Sequence, residues 1–393
     1  MADSPRSVVM VLEAKFPAYG GGGAESQVLT LGGRLSDGGV QVLVVVPRVA
    51  EGPQAEREHV DRLDVMRITY PRMRVLGGVI MLAKLAWFLF AHRRDYQVIH
   101  AHIAHNMASV AAIMGKLLGK PVVVKLTGMR ELVGGILDPH PNFGARLRKL
   151  AIRQATLIQA TSERIRQTLI DRGFDPTRTL VLPNGVDVGR FTRVGRDHEL
   201  RAQLCGAAEI VGIFVGRLAP EKNHESLLNA WAETFARRTD AKLVLVGDGV
   251  LRQHLTEVAN RMGIGTQVVF AGHSNDIARY LAIADFGLLT SLAEGLSNSL
   301  LEYMAAGLPV IGSRISGTED FVVPGETGWL FEPGDGDDLA RCLALAAAAG
   351  APALRAMGEK AQQRIVSTAS LEAVTKKLIT CYGFNATHEF KAG

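Results

Sequence analysis

The chain has 393 residues, more than one ordinary hydrophobic core organises, so its length predicts two domains of about 150–200 residues each. With 47% apolar residues, few aromatics and 42 glycines it has the composition of a soluble α/β protein, and its three scattered cysteines (Cys205, Cys342, Cys381) lack pairing or metal-ligand spacing and suit a reducing compartment. The net charge of +5 is uneven, with 25 Lys+Arg against 16 Asp+Glu in residues 1–190 and 19 against 23 in residues 191–393; the basic half suits phosphorylated ligands or anionic lipid, while the lack of a dense basic run with interleaved aromatics argues against nucleic acid.

The opening stretch "MADSPRSVVMVLEA" has no basic segment followed by a long apolar core, so no signal peptide is expected and the location is read as cytoplasmic. Apolar strand-like runs then recur at 7–14, 40–47, 96–102, 121–128, 156–162 and 179–185. A second series follows at 209–217, 241–249, 266–272, 284–291, 308–313 and 327–333. Strands alternating with helix-length segments signal parallel sheets covered by helices, and two such series predict two doubly wound domains. The joint is expected within 183–197, "PNGVDVGRFTRVGRD", which lacks helical periodicity. The expected division is therefore 1–190, 191–370, and a C-terminal helix over 371–393 that crosses back to the first domain. Segment 75–91 is shorter than the roughly 20 residues of a membrane span and is interrupted by Lys84, so a buried or partly membrane-facing crossover helix is expected there. Segment 142–154 sets Arg146, Lys149 and Arg153 at helical spacing, with Arg148 nearby; such a face either attracts anionic headgroups or is simply solvated. The Ala-rich run 343–349 reads as helix, and the sequon Asn385-Ala-Thr387 as incidental.

Ligands of doubly wound sheets bind at the carboxyl ends of the strands. Three loops there carry chemistry. In "YGGGGAESQ" (19–27), Gly22 and Gly23 let backbone N–H groups approach an anion at a helix N-terminus; the loop fits neither GxGxxG nor a P-loop, and a flexible turn explains it equally well. In "VGRLAPEKNHESLLNAW" (215–231), Arg217 leaves a strand end and Lys222 precedes a helix. Two cations there can clamp a diphosphate, or stand as solvated charges near a cap. In "AEGLSNSLLEYMAAG" (293–307), Glu294 sits in a strand-end loop and Ser297 or Asn298 can cap the next helix. The N–H groups of Leu296, Ser297 and Asn298 would then be open to phosphate or sugar oxygens. Glu302 lies about one turn into that helix, where a carboxylate can hold a ribose or hexose diol. Singly, Glu294 also reads as a loop charge and Glu302 as a solvent-facing helical glutamate.

Together with "IHAH", "PNGVD", "LVGDG", "FAGH" and "ETGWLFEPGD", these segments resemble, in order and spacing over nearly the whole chain, the GT4-type glycosyltransferases of the GT-B fold. The resemblance implies an α/β architecture of two facing Rossmann-like doubly wound domains with a cleft between them. It also implies a retaining, metal-independent glycosyltransferase using a nucleoside diphosphate sugar, with a saccharide or lipid-linked acceptor and a possible peripheral place on an anionic membrane surface. By the family's Glu-x7-Glu motif, Glu294 would contact hydroxyls of the donor sugar and Glu302 the nucleotide ribose. Arg217 and Lys222 match the diphosphate pair, Gly22 and Gly23 the opposing glycines, and Gly272-His273 the segment that meets the base. No cofactor is implied. Many relatives carry a histidine after the fourth strand of the first domain, often as "LHG"; here "VKLTGMRE" has Thr127 in its place, and His102 is the nearest alternative polar group. Within enzymes the chief rival is a nucleotide-sugar 2-epimerase of the same fold; outside them, it is a non-catalytic nucleotide-sugar-binding protein.

Overall fold

The structure is a computed structural model that describes residues 6–17, 22–48, 54–128 and 135–384. The sequon at Asn385 and the first glycines of the 19–27 loop lie outside those residues. The chain forms two compact units, Met1–Gly185 with Leu371–Gly393, and Val186–Ser370. It passes between them twice, first at Gly185, ahead of the expected 190, and again at Ser370.

The first unit is an eight-stranded sheet. Its strands are β1 (Ser7–Val11), β2 (Gln41–Pro47), β3 (Arg57–Val60), β4 (Leu63–Ile68), β5 (Val98–Ala101), β6 (Val122–Leu126), β7 (Leu157–Ala160) and β8 (Thr179–Val181). The order is β3-β4-β2-β1-β5-β6-β7-β8, with every neighbouring pair parallel except the β3–β4 hairpin. Strands β1, β2 and β5 to β8 are the six expected apolar runs. The hairpin was not expected: β3 is an exposed edge strand reading "REHV", and an edge facing water carries charges instead of an apolar run. Asp61, at φ 52°, makes its tight turn. Both faces of the sheet are covered. Helices Arg74–Ala91, Asn106–Leu118, Phe143–Ile152 and Glu163–Asp171 bury one face with Val9, Val11, Ile99, Val122 and Val124. Helices Gly23–Asp37 and Leu371–Cys381 bury the other, where Leu31, Leu35, Val374 and Leu378 meet Val8, Met10 and Val44. The C-terminal helix thus belongs to the N-terminal core, and Arg34 reaches Glu372 at 3.4 Å along that seam.

The second unit holds β9 (Ile210–Val215), β10 (Ala241–Val246), β11 (Val268–Gly272), β12 (Phe286–Leu289), β13 (Val310–Ser313) and β14 (Gly328–Phe331). Its order is β11-β10-β9-β12-β13-β14, wholly parallel, and each strand answers one run of the second series. Among the described residues one helix, Gly336–Thr368, is long and apolar enough to cross a membrane. Gly350, at φ 73° and ψ 164°, breaks it just before Pro352, so neither half reaches the roughly 20 residues a span needs. Leu339, Leu343, Ala346, Ala361 and Ile365 are instead buried in the unit's core.

In each sheet the strand order reverses once, between β1 and β5 and between β9 and β12. The crevice outside the carboxyl ends of such a strand pair is where open α/β sheets hold ligands.

Candidate active site

At the switch point of the second unit, the loops after β9 and β12 meet through one ion pair. Lys222, at the end of the 3-10 turn Pro220–Lys222, donates to Glu294 Oε1 at 2.6 Å, and the Ser291 hydroxyl donates to the same oxygen. The backbone around the pair is fixed. Thr290 Oγ1 donates to the Lys222 carbonyl at 2.8 Å, Leu292 N–H to the Glu221 carbonyl at 3.1 Å, and Ser313 Oγ to the Ser291 carbonyl at 2.7 Å. Gly317, at φ 81°, lets the loop after β13 press on the 294–296 turn; a Cβ there would lie 2.4 Å from the Gly295 carbonyl oxygen. Arg217 does not join this cluster. Its guanidinium is exposed and donates to Glu221 at 3.0 Å, so the two expected diphosphate cations each hold a different carboxylate.

Helix Asn298–Ala305 starts beside the pair. Ser297 holds the N-cap position, yet its hydroxyl makes no capping bond, a departure from the expected cap. The N–H groups of Leu296 and Ser297 form no hydrogen bond among the described residues, so the turn leaves two donors at a helix start. Glu302 is half-buried, and burial pushes its carboxyl above the ordinary range while Arg190 opposes the rise. Arg190, on helix Val188–Thr192, donates to the Asn275 carbonyl at 2.9 Å, and Asn275 Oδ1 stands 3.2 Å from His273 Nε2. Arg190 and Asn275 thus tie the expected base segment, Gly272-His273, to the surroundings of Glu302. Sequence reading missed Arg190, Ser291 and Tyr303. The Tyr303 hydroxyl accepts from Val215 N–H at 2.6 Å and donates to the Leu288 carbonyl at 3.3 Å, joining the ends of β9 and β12. Its ring packs on Gly287, where a Cβ would come within 2.4 Å of it. The run "EYMAAG" could have flagged the tyrosine only as one more apolar helix position.

The other expected residues lie in the first unit. Gly22 is the N-cap of helix Gly23–Asp37, and the Glu25 carboxylate folds back over it, 2.1 Å from where a Cβ would be. The helix start is thus covered by its own carboxylate. Thr127 follows β6 and is half-buried. His102 is a packed histidine, its ring stacked on His100 at 4.0 Å between centroids, with neither nitrogen partnered among the described residues. Burial, His100 and Lys125 hold it well below the ordinary imidazole range, while burial and Lys125 bring His100 to about 3. Lys125 is itself buried, which brings its amine down to about 7.

The switch point of the first unit instead presents His105, three residues further along the same "HAHIAHN" run. Glu13, just past β1, holds His105 Nδ1 at 2.7 Å, Asn106 Nδ2 at 3.2 Å and the Met107 N–H at 2.7 Å. The carboxylate can only accept, so Nδ1 carries the proton, and in the neutral ring Nε2 is an acceptor. Burial alone would raise the Glu13 carboxyl, but the hydrogen bonds from His105, Met107 and Asn106 and the charge of His105 together hold it below its ordinary range. A concavity of about 950 Å³ in the same unit is lined by Ser7, Gly39, Arg57, Asp64 and Tyr96, around the amino ends of β1, β2 and β4. That is the end of the sheet opposite the carboxyl-end loops, so it is not the candidate site.

Residues 21–190 match the family model Glycosyltransferase Family 4, and residues 209–348 match Glycosyl transferases group 1. The UDP-Gal:alpha-D-GlcNAc-diphosphoundecaprenol alpha-1,3-galactosyltransferase of Escherichia coli is 30% identical over 275 residues, 67% of this chain and 69% of that enzyme. The N-acetyl-alpha-D-glucosaminyl L-malate synthase of Bacillus anthracis is 27% identical over 302 residues, 74% of this chain and 76% of that one. The crystal structure of HepE from Anabaena in complex with UDP superposes with a TM-score of 0.77 at 22% identity, covering 96% of this chain and 99% of its own. That likeness shows the fold, the α/β GT-B class with its two Rossmann-like units. With both units matched by glycosyltransferase models and a relation at 30% identity over two thirds of both chains to an enzyme of that kind, the chain belongs to the family 4 glycosyltransferases.

Proposed function

We propose that this glycosyltransferase transfers a hexosyl group, with retention and without a metal, from a nucleoside diphosphate sugar to a saccharide or lipid-linked acceptor in surface polysaccharide or glycoconjugate biosynthesis. The observation that carries the donor side is the Lys222–Glu294 pair at the switch point, beside the two unbonded N–H groups of Leu296 and Ser297. A diphosphate would draw Lys222 away from Glu294 and take these amides as donors. Glu294 is then released toward sugar hydroxyls, and Glu302 accepts from the ribose. During transfer the bond from the anomeric carbon to the diphosphate oxygen breaks, its electron pair leaving on the diphosphate. The acceptor oxygen bonds to that carbon on the same face, and its proton passes to the leaving phosphate. Lys222, Arg217 and the amides stabilise the charge that develops there. On the acceptor side, Nε2 of His105 accepts a hydrogen bond from an acceptor hydroxyl, with Glu13 fixing the tautomer.

The galactosyltransferase of Escherichia coli, whose name gives UDP-Gal and a diphosphoundecaprenol-linked acceptor, and the UDP bound to HepE support a uridine donor as the first to try. A thermal-shift screen of nucleoside diphosphates comes first, because a ligand that binds only the folded state raises its melting point. Incubation with the matching sugar nucleotide follows, with the anomer of the product read by NMR. Inverted product would reject retention, and conversion of the donor without acceptor would reveal an epimerase. Activity is expected to survive EDTA, since two cations and helix amides neutralise the diphosphate; loss on chelation with rescue by Mg²⁺ or Mn²⁺ would reject that part.

A further inference from the structure

Helices Arg74–Ala91, Asn106–Leu118 and Phe143–Ile152 pack side by side on one face of the first sheet. Their inner sides fill the core, but their outer sides are not those of ordinary surface helices. Of the 15 large apolar side chains exposed among the described residues, 11 fall between Met73 and Leu150. Val75 is 81% exposed, Trp87 68%, Leu117 74% and Phe143 76%. Scattered single residues of this kind need no explanation, whereas a contiguous set on three adjacent helices marks an interaction surface. None of the three helices contains an aspartate or glutamate, and residues 71–154 carry 13 Lys+Arg against 3 Asp+Glu. Cations sit among the apolar tips: Arg93 lies 4.5 Å over the Phe90 ring, Phe90 stands 5.9 Å from Trp87, and Lys84, Lys116 and Arg146 are exposed. Of the basic residues expected on the third helix, Arg153 is used internally, donating to the Arg172 and Gly173 carbonyls.

We propose that the outward side of these three helices seats the first unit on an anionic lipid bilayer. Val75, Val79, Trp87, Leu117, Phe143 and Leu150 enter the boundary between headgroups and acyl chains, while the surrounding lysines and arginines meet lipid phosphates. Charge selects a bilayer over a protein partner, because the three helices offer one sign of charge around an apolar centre and carry no acid to set register. An interfacial surface of this kind needs an apolar face flanked by Lys and Arg with aromatic anchors. The helices lie flat on it, being too short to cross. The inference goes beyond the single basic helix at 142–154, and it gives the proposed transferase access to acceptors displayed at a membrane. It is tested without donor or acceptor, so its failure leaves the transfer reading standing, and failure of transfer leaves it standing.

The test is sedimentation of the full chain with vesicles of phosphatidylcholine alone and of phosphatidylcholine with 30% phosphatidylglycerol. At least tenfold tighter binding to the anionic vesicles is expected, with a blue shift of Trp87 emission that Trp87→Phe removes; Trp231 is buried and serves as internal reference. The double variant Trp87→Glu, Leu117→Glu changes two exposed positions and should keep the wild-type melting point while losing at least tenfold in vesicle affinity. Equal binding to both vesicle types, or binding to anionic vesicles that the double variant leaves unchanged, would overturn the proposal. So would the absence of vesicle binding together with a dimer on size exclusion that the variant dissolves, since the patch would then belong to a second copy of the chain.

Discussion

The two switch points differ in how they spend an acid and a base. In the second unit Lys222 and Glu294 are equally shielded, their side chains 16% and 18% exposed, and they form a close ion pair. In the first unit Glu13 is 16% exposed while His105 is 43% exposed, and the pair is charged only when the imidazole is protonated. Glu13 is further anchored by the Met107 N–H at a helix start, so its place is set whether or not His105 is present. A shielded ion pair suits a ligand that brings its own charge and exchanges with one partner. A carboxylate-oriented imidazole facing outward suits a neutral hydroxyl. The difference matches the division proposed here between a diphosphate donor and a hydroxyl acceptor.

Breaking the second pair should have the largest effect. Lys222→Ala is expected to cost about 2–4 kcal/mol of transition-state stabilisation, roughly a 30- to 10³-fold loss in kcat, with the fold intact. Arg217→Ala should fall in the same range, although in the free protein it holds Glu221 and not Glu294. Wild-type turnover in either variant would remove these residues from the diphosphate site. Next come the two glutamates, which calorimetry with free nucleoside diphosphate separates because that ligand has no sugar. Glu294→Gln should bind it nearly as wild type does and mainly lower kcat, whereas Glu302→Gln should bind it clearly less well. The opposite pattern would mean their roles are exchanged. Burial raises the Glu302 pKa, so its carboxyl gains a proton at higher pH than a free glutamate and then accepts ribose hydroxyls less well. Nucleotide affinity should therefore fall as pH drops through that raised value, and the fall should be missing in Glu302→Gln.

The first pair offers a smaller and selective effect. His105→Ala should lower transfer by about tenfold, the ~1.5 kcal/mol of one hydrogen bond, while nucleotide affinity measured by calorimetry stays unchanged. His105→Gln, which keeps an acceptor, should recover part of the rate. Equal losses in transfer and nucleotide binding would instead assign the pair to capping of helix Asn106–Leu118 alone. The least effect on activity is expected at Lys125, a buried amine with no carboxylate beside it among the described residues. Its folded pKa of about 7 lies below its ordinary 10.5, so between those values the unfolded chain holds the extra proton. Stability should then rise with pH from about 7 toward 10.5, and the charge penalty is complete below 7. Lys125→Met should flatten that slope and stabilise the chain below pH 7, on the order of 1–3 kcal/mol by denaturant titration. A steep slope retained in the variant would place the effect elsewhere.

By itself the sequence determined all but two strands of the two sheets. Twelve apolar runs became β1, β2 and β5 to β14, because a strand covered on both faces must be apolar throughout and can be read without knowing its neighbours. Strand-end loops followed from the same runs, which is why Arg217, Lys222, Glu294 and Glu302 were legible as candidates. Strand β3 was not legible, since an edge strand carries no such signal, and β4 escaped because Asp64 and Arg67 interrupt its apolar run. Pairing was beyond the sequence as well. That Lys222 holds Glu294 while Arg217 holds Glu221, that Arg190 and not a more distant cation stands near Glu302, and that His105 and not His102 faces outward all depend on where neighbouring strands end. The exposure of Trp87 and Leu117 was likewise decided only by helix packing, because an apolar residue in a helix reads the same whether its side of the helix meets a sheet or water. Periodicity reports how much of an element is buried, and only tertiary structure fixes which side is covered and which groups meet across it.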